Sequence, residues 1–453
     1  MTDSDSRTGT AGSGEQAFFS RLFALLHRKG RLSRLHTRAA AEMAAGRHEK
    51  GLALLRRAAQ GGNSHAQFEI GLCYLHGRCV IRNFPDALVW LRRSAEQGFA
   101  EAQSLLGQLL INGDSTHPFD PQKWYGEAAE PAAANCSLFF PQGLTVTPDL
   151  EEGLRWLNTA AEAGNTAAML QIGTRLMSGR DMPADPERGI AMIREAAETG
   201  LSAAQLTYGR ILLRGTGGTA DPQAAALQLR GAAEAGVLDA MFELGRLCIT
   251  APEVATEETE GARWLERASR HGHLEATIAL AEVVFTGRNV PADPRRAAGL
   301  YRLAAKHNHP AALFALGRMH AQGVGVEKDE FEASEYYRMA GERGHVMAQL
   351  QLGVFHMRGL GVVRDHQAAA EWFDKAARAG SADACANLAL LYEDNRLGPD
   401  LPRALMWWRL AVERAQGNKR ESFLQGQLKL EARMAAEDLA AVEDLMAKWK
   451  GGA

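Results

Sequence analysis

The stretches AALFALGRMHAQGVGV (residues 311–326) and MAQLQLGVFHMRGLGV (residues 347–362) decide the fold, because they are two copies of one pattern. Their starts lie 36 residues apart, and each copy is a helix-forming run that ends at a glycine and continues as G-x-G-V. A glycine-rich turn of this kind either cradles a phosphate or belongs to a structural repeat. The rest of the chain favours the repeat.

A regular period runs through most of the chain. One small residue, which we call the anchor, opens the first helix of every repeat: Ala66, Ala102, Ala168, Ala204, Ala240, Ala276, Ala312, Ala348 and Ala384. Every step between anchors is 36 residues, except the 66-residue step from Ala102 to Ala168. Glycine or alanine stands five residues after each anchor, and a glycine mostly ends the helix eleven residues after it. The spacing predicts about nine helix-turn-helix repeats, each with a helix A and a helix B.

Each position that recurs between the repeats has a physical explanation. Small residues inside helix A allow helix B to approach closely, and the terminal glycine suits a left-handed C-cap. Openings such as DPERG, DPQAA and DPRRA supply an N-cap for helix B, which then closes with A-A-x-x-G. An aromatic column on helix B is predicted to pack between helices: Trp90, Trp156, Trp264, Tyr336, Trp372 and Trp408. Neither a strand nor a βαβ pattern surrounds G-x-G-V, so the sequence does not support a phosphate loop.

The combined pattern A-x-x-x-L-G-x-x-[YMH]-x-x-G-x-G-V…D-x-x-x-A-x-x-W-x-x-x-A-A-x-x-G-[HNS] resembles the Sel-1-like repeat family, close kin of the tetratricopeptide repeats. The resemblance covers roughly residues 50–415 and departs from the pattern in the fifth repeat, where Ala251 replaces the capping glycine. It implies an all-α, right-handed α/α superhelical solenoid with helical caps. It also implies a role in holding other proteins.

The sequence predicts four regions, which are a disordered tail (residues 1–16), a basic amphipathic segment (17–38), the repeat solenoid (39–413) and a C-terminal capping helix (414–453). The end repeats need caps to cover an apolar face. Residues 419–450 read as one long lid helix, with a partner-binding amphipathic helix as the alternative. An insertion at about 114–147, rich in proline and aromatic residues, accounts for the long step. It either binds a partner or packs back on the neighbouring helices.

The segment 17–38 combines an apolar face with positive charge and carries no acidic residue. Its defining residues are Phe18, Phe19, Phe23, Arg21, Arg28 and Lys29. Such a segment can lie on an anionic membrane surface or bind an acidic partner. The alternative is a helix that docks on the first repeat. Acidic residues at Asp3, Asp5 and Glu15 are out of character for a transit peptide.

No catalytic site, cofactor or metal is expected. The histidines His273, His309 and His345 recur at the repeat period, so they are either a metal ladder or a structural position, and their spacing matches no zinc motif. Some secreted, cysteine-rich relatives of the family are linked to β-lactam binding or hydrolysis. Those relatives carry a regular cysteine pair in each repeat, which this chain lacks, so a β-lactamase-like hydrolase is only a remote alternative.

A groove is predicted on the concave side, which helix A lines in tetratricopeptide-like stacks. The position six residues after the anchor carries Arg210, Arg246 and Arg318, and Arg214 lies one turn beyond Arg210. The position two after the anchor supplies an apolar track that includes Phe242 and Phe314. Guanidinium groups suit carboxylates by charge and by bidentate hydrogen bonds. We therefore expect an acidic or C-terminal peptide as the partner, with ordinary solvated arginines as the alternative.

The bulk composition limits the partners and the compartment. The net charge of −3 gives no general attraction to nucleic acid or to a membrane, and no apolar run is long enough for a membrane span. Five scattered cysteines do not form a disulfide framework, which favours a reducing compartment. The sequence thus predicts a non-catalytic, cytoplasmic adaptor of bacterial type that binds other proteins. A regulator held at the membrane surface by segment 17–38 is the alternative.

Overall fold

The structure, a computed structural model, describes residues 32–77, 79–112, 148–394, 396–398 and 400–451. These residues form α-helices and one short 3-10 helix, Pro252–Val254, and contain no strand. The chain divides into two compact units, Met1–Gly231 and Ala232–Ala453. The all-α fold with a helix-pair repeat is confirmed.

The helices of the N-terminal unit are α1 (His48–Gln60), α2 (Ser64–His76), α3 (Phe84–Glu96), α4 (Ala100–Asn112), α5 (Leu150–Glu162), α6 (Thr166–Ser178), α7 (Pro186–Glu198) and α8 (Ser202–Arg214). The boundary between the units falls inside α9 (Pro222–Glu234). The C-terminal unit continues with α10 (Leu238–Thr250), α11 (Glu260–Arg270), α12 (Leu274–Thr286), α13 (Pro294–Ala305), α14 (Pro310–Gln322), α15 (Glu330–Glu342), α16 (Val346–Arg358), α17 (His366–Arg378), α18 (Ala382–Glu393), α19 (Leu401–Arg414), α20 (Gly417–Glu431) and α21 (Ala436–Gly451). From α2 to α18 the even-numbered helices are helix A, and from α3 to α19 the odd-numbered helices are helix B.

Local rules fix where each helix begins and ends. The side chain of Asp329 accepts the backbone N–H groups of Phe331 and Glu332 at the start of α15. At the other end of a helix, Gly323 and Gly359 cap α14 and α16 with φ of 71° and 76°, a conformation that costs glycine nothing. These caps satisfy donors and acceptors that a helix end leaves unpaired, so the repeat boundaries follow from the sequence.

The glycine inside helix A lets the two helices of a repeat touch. A β-carbon at Gly353 would lie 2.5 Å from Phe373 on α17, and one at Gly317 would lie 2.6 Å from Tyr337 on α15. Both aromatic side chains are buried, so the hydrophobic core of a repeat forms around this contact. The predicted role of the small residue is confirmed.

The G-x-G turn has a second function that the sequence did not reveal. Its first glycine caps helix A, whereas its second, Gly325 or Gly361, has φ of 74° or 63° and lies on the start of the preceding helix B. Gly325 contacts Pro294, and Gly361 contacts Glu330. The motif is therefore a contact between consecutive repeats.

The long step between anchors leaves the helix pair α4–α5 intact. The Asp149 N–H donates to the Leu110 carbonyl at 2.8 Å, just as the Asp185 N–H donates to the Leu176 carbonyl in the next repeat. A β-carbon at Gly107 would lie 2.7 Å from the Gly153 carbonyl oxygen, so these helices pack as closely as the others. The insertion thus interrupts the loop between helix A and helix B, and its residues 113–147 lie outside the described chain.

The aromatic column on helix B is only half-buried, with the exception of Trp408. Trp156 packs against the core of the N-terminal unit and donates its indole N–H to Glu152 at 3.2 Å. Trp372 packs against a core of the C-terminal unit, and the Lys375 ammonium lies 3.9 Å from its ring centroid. Each of these rings therefore packs against a hydrophobic core and also contacts a charged side chain, which for Trp372 lies over the face of the ring.

The prediction of a single C-terminal lid helix is wrong. The segment folds into α20 and α21, joined by a turn at 432–435, and both helices pack on α19. Arg409 of α19 pairs with Glu431 on α20 and with Glu443 on α21, at 3.0 and 2.6 Å. One straight helix of 32 residues would be roughly 48 Å long, more than twice the length of α19, and would leave apolar surface uncovered.

The start of the described chain is also helical, from residue 32 to residue 44. Leu35 and Ala39 pack on α1 within one hydrophobic cluster, and His36 lies 3.0 Å from Glu69 on α2. The end of segment 17–38 is therefore docked on the first repeat. Residues 17–31, with Phe18, Phe19, Arg21, Phe23, Arg28 and Lys29, lie outside the described residues.

Candidate functional site

The predicted groove residues lie on helix A in both units, and each group is described by itself. In the N-terminal unit, Arg214 at the end of α8 is exposed and Arg210 is half-buried. The other predicted residues belong to the C-terminal unit, where α10 carries Phe242 and Arg246 and α14 carries Phe314 and Arg318. Among the predicted groove residues, arginines and aromatic residues occur together only in the C-terminal unit, on α10 and α14.

Phe242 and Arg246 form the first part of this surface. The Arg246 guanidinium lies 5.5 Å from the centroid of the Phe242 ring, and that ring stacks on His273 at 5.0 Å. The His273 Nδ1 accepts the Ala276 N–H at 3.1 Å and thereby caps α12. Its Nε2 lies 3.4 Å from Asp239, which favours the tautomer that leaves Nδ1 free to accept. The exposed guanidinium therefore rests on a ring that is itself held in place.

The second part of the surface surrounds Arg318. Its guanidinium lies 5.5 Å from the centroid of Phe285, near the end of α12. Phe314 stacks on His345 at 4.5 Å and touches Tyr337 at 5.7 Å between centroids. Burial raises the pKa of Tyr337 to about 12, although the nearby Arg318 charge acts in the opposite direction. The Tyr337 phenol therefore stays neutral, and its ring forms part of the apolar surface near the Arg318 guanidinium.

The charges along this surface alternate in sign. The position six residues after the anchor carries Arg246 on α10, Glu282 on α12 and Arg318 on α14, and all three side chains are exposed. The same position carries Val354 on α16 and Leu390 on α18, and Leu390 is 42% exposed. We call the face formed by these five residues the C-terminal groove face. Along this face, the charged residues on α10, α12 and α14 are followed by the apolar residues on α16 and α18.

One contributor to this surface was missed at the sequence level. Phe285 stands nine residues after its anchor, outside the two positions from which the groove was predicted. Its contact with Arg318 joins α12 to α14, so it depends on how consecutive repeats stack. A sequence signal could have identified Phe285. It is an aromatic residue in the last turn of helix A, one repeat before a groove arginine.

The periodic histidines have structural roles. His345 accepts the Ala348 N–H at 3.2 Å and caps α16, as His273 caps α12. Burial lowers the pKa of His345, which keeps its Nδ1 available as an acceptor. His309 lies 3.1 Å from Glu275, and His320 stacks on Tyr336. Among the described residues, no three metal-ligating side chains come together.

Four cysteines lie in the described part of the chain, and none of them forms a disulfide. Cys73, Cys248 and Cys385 are buried, whereas Cys79 is exposed. Burial raises the pKa of the Cys385 thiol to about 11, even though Arg414 lies 3.5 Å from its sulfur. A raised pKa makes this thiol a packing group.

The sequence profile of the family described as Sel1 repeat matches ten segments of the chain. They are residues 48–63, 64–99, 131–165, 166–201, 202–236, 238–273, 274–309, 310–345, 346–381 and 382–415. The first segment, residues 48–63, contains a single helix, α1, so it is half of a repeat. Within the described residues, no helix has the length and apolar character needed to cross a bilayer.

Two solved structures show the same kind of fold. The protective antigen c5321 of uropathogenic Escherichia coli, which has an SLR fold, is 23% identical over 92% of this chain and 94% of its own, with a TM-score of 0.58. A Sel1 repeat protein from Oxalobacter formigenes is 27% identical over 73% of this chain and 87% of its own, with a TM-score of 0.51. No curated protein matches the chain significantly.

Proposed function

Because the chain belongs to the Sel1 repeat family, whose repeats generally mediate protein–protein interaction, we propose that it is a non-catalytic adaptor that captures a partner on the C-terminal groove face. The partner segment is acidic where it meets Arg246 and Arg318, and apolar where it meets Val354 and Leu390. The pairing of exposed guanidinium groups with fixed aromatic rings is the observation that carries this proposal.

The two arginines differ from the ion-paired arginines of the C-terminal unit. Arg338 and Arg378 are held by carboxylates of their own helices at 2.7–2.8 Å. Among the described residues, neither Arg246 nor Arg318 has a carboxylate within ion-pair distance. A guanidinium that lies on an aromatic ring keeps its hydrogen-bond donors at its edge, where they can grip a carboxylate in two places. Both groups therefore suit an acidic side chain from outside.

The alternating charge predicts a spacing in the partner. Helices that pack side by side lie about 10 Å apart, so Arg246 and Arg318, on α10 and α14, are separated by roughly 20 Å. An extended peptide rises about 3.3 Å per residue, which places its two acidic residues about six positions apart. Glu282 on the intervening α12 favours a basic residue midway between them. The preferred segment thus reads acid–base–acid at intervals of about three residues.

A charge-reversal pair tests the proposal. We expect Arg246→Glu with Arg318→Glu to weaken binding of a labelled peptide at least tenfold when its two glutamates stand six residues apart and a lysine stands midway. Arg295→Glu with Arg302→Glu, two exposed arginines on α13, is the matched control and should leave binding unchanged. Fluorescence anisotropy measures the affinity, and far-UV circular dichroism confirms that helical content is preserved. Equal binding by both double variants, or equal binding of a scrambled peptide, would overturn the proposal.

A further inference from the structure

A charged residue occupies a core position in one repeat of the N-terminal unit. The position seven residues after the anchor is apolar in every other repeat: Cys73, Leu109, Ile211, Leu247, Val283, Met319, Phe355 and Leu391. Nearly all of these side chains are buried. On α6 the same position is Arg175, whose side chain is only 18% exposed. An arginine at this buried position loses part of the hydration of its guanidinium, which costs free energy. The need for a stable fold therefore does not explain why the position is an arginine.

The loop that follows α6 also carries a charged residue, at a turn position where three of the other repeats have glycine. Thirteen residues after the anchor, Gly325 and Gly361 lie on the first residue of the preceding helix B. The corresponding residue here is Asp181, which keeps the left-handed backbone with φ of 66°. Leu150, the first residue of the preceding helix B, is 41% exposed and lies at the edge of a cavity of about 460 Å³ that Asp181 also lines.

Arg175 and Asp181 both line this cavity, together with Arg180. The Nε atoms of Arg175 and Arg180 each lie 3.7 Å from Asp181 Oδ2, which is beyond hydrogen-bond distance. Arg175 donates from Nη1 to the Gln171 carbonyl, but its buried Nε has no hydrogen-bond partner within the described chain. Burial lowers the pKa of Arg175 more than Asp181 raises it. The surrounding protein therefore leaves part of this charge uncompensated.

We propose that this cavity binds a small oxyanion, a carboxylate or phosphate group that carries a short apolar chain. Arg175 and Arg180 hold the anion, because together they outweigh the single carboxylate of Asp181. Ile111 and Leu150 form an apolar part of the wall and accept the chain. The site lies in the N-terminal unit and is independent of the groove proposed above. The contrasting explanation is that Arg175 and Asp181 only tether the loop to α6.

Titration of the full-length protein with sodium phosphate and with sodium butyrate tests the site, and sodium chloride at equal ionic strength is the control. We expect a saturable rise of the melting midpoint with at least one of the two probes, and the more effective probe identifies the anionic group. Arg175→Met, which restores the usual apolar character of the position, should abolish the response. Asp181→Asn should tighten binding about fivefold, because it removes a like charge close to the anion.

The double variant Arg175→Met with Asp181→Gly guards against misfolding, because both residues match those of other repeats. It should keep the helical signal, melt no lower than the parent protein and lose anion binding. No saturable response to either probe beyond that to chloride would overturn the site, as would an undiminished response in Arg175→Met. Weaker rather than tighter binding in Asp181→Asn would support the tether instead.

Discussion

Replacing Gly353 by alanine tests the close contact on which each repeat depends. The new β-carbon would lie 2.5 Å from Cε1 and 2.6 Å from Cδ1 of Phe373. Carbon atoms in good contact are about 3.5–4.0 Å apart, so the overlap is roughly 1 Å. Phe373 is fully buried on α17, so its ring can move only by displacing the side chains that pack around it. The helices α16 and α17 must therefore separate or distort.

Two opposing effects set the magnitude. Alanine is favoured over glycine inside a helix by about 1 kcal/mol. Overpacking a core costs about 1–3 kcal/mol, and a 1 Å overlap with a fixed ring belongs in the upper part of that range. The net loss is about 1–2 kcal/mol, which lowers the melting temperature by about 2–8 °C for a unit of this size.

The assay is thermal unfolding of the full chain, followed by far-UV circular dichroism. Gly299→Ala is the matched control, because Gly299 is exposed on helix α13 and a β-carbon there would meet nothing within 4 Å. The control should gain about 1 kcal/mol from helix propensity alone. Adding Phe373→Leu to Gly353→Ala should recover part of the loss. If Gly353→Ala melts at or above the parent temperature, the packing argument is refuted.

Three further predictions concern caps and the C-terminal lid. Because burial lowers the folded-state pKa of His345 below about 6.5, its stabilising effect is present above that pH and is lost as the pH falls through the folded value. His345→Asn, which caps without titrating, should flatten the fall of the melting midpoint between about pH 7 and pH 5, and an unchanged slope contradicts this. Asp329→Ala should cost about 1 kcal/mol and speed amide exchange at the start of α15, so unaltered exchange there counts against the cap. Removal of residues 417–453 should expose Trp407 and Trp408, now 4% and 7% exposed, and cause self-association visible by light scattering. A truncated chain that stays monomeric would show that α20 and α21 are not a lid.

The repeat could be predicted from the sequence because its rules are local. A capping aspartate such as Asp329 and a left-handed glycine such as Gly323 act within a few residues of their own helix ends. The spacing of these signals therefore gave the period, the helix pairs and the place of the insertion. The aromatic column and the recurring histidine position followed from the same register, whereas the capping role of His273 and His345 came from the structure.

The candidate site was harder to predict from the sequence, because it depends on contacts between repeats. The sequence placed Arg246 and Arg318 on one face, but the contact of Arg318 with Phe285 comes from a neighbouring helix A. The cavity at Arg175 likewise depends on how α6 and its loop pack beside Ile111 and Leu150 of the preceding repeat. The position of Arg175 within the period does not show that these residues will enclose a cavity.

Local sequence signals established that the chain is a series of α-helical pairs, where the helices of the repeats begin and end, and which face of each pair is apolar, because caps and helical periodicity act over a single turn or pair. Tertiary packing made the C-terminal segment fold back as two helices, α20 and α21, and left some charged side chains with aromatic rings in place of carboxylate partners. Several of the contacts involved join residues far apart in the chain: Arg409 and Glu443 are 34 residues apart, and Arg318 contacts Phe285 of the preceding repeat. Their contacts are selected by how successive helices pack, and short-range sequence patterns carry no record of that packing.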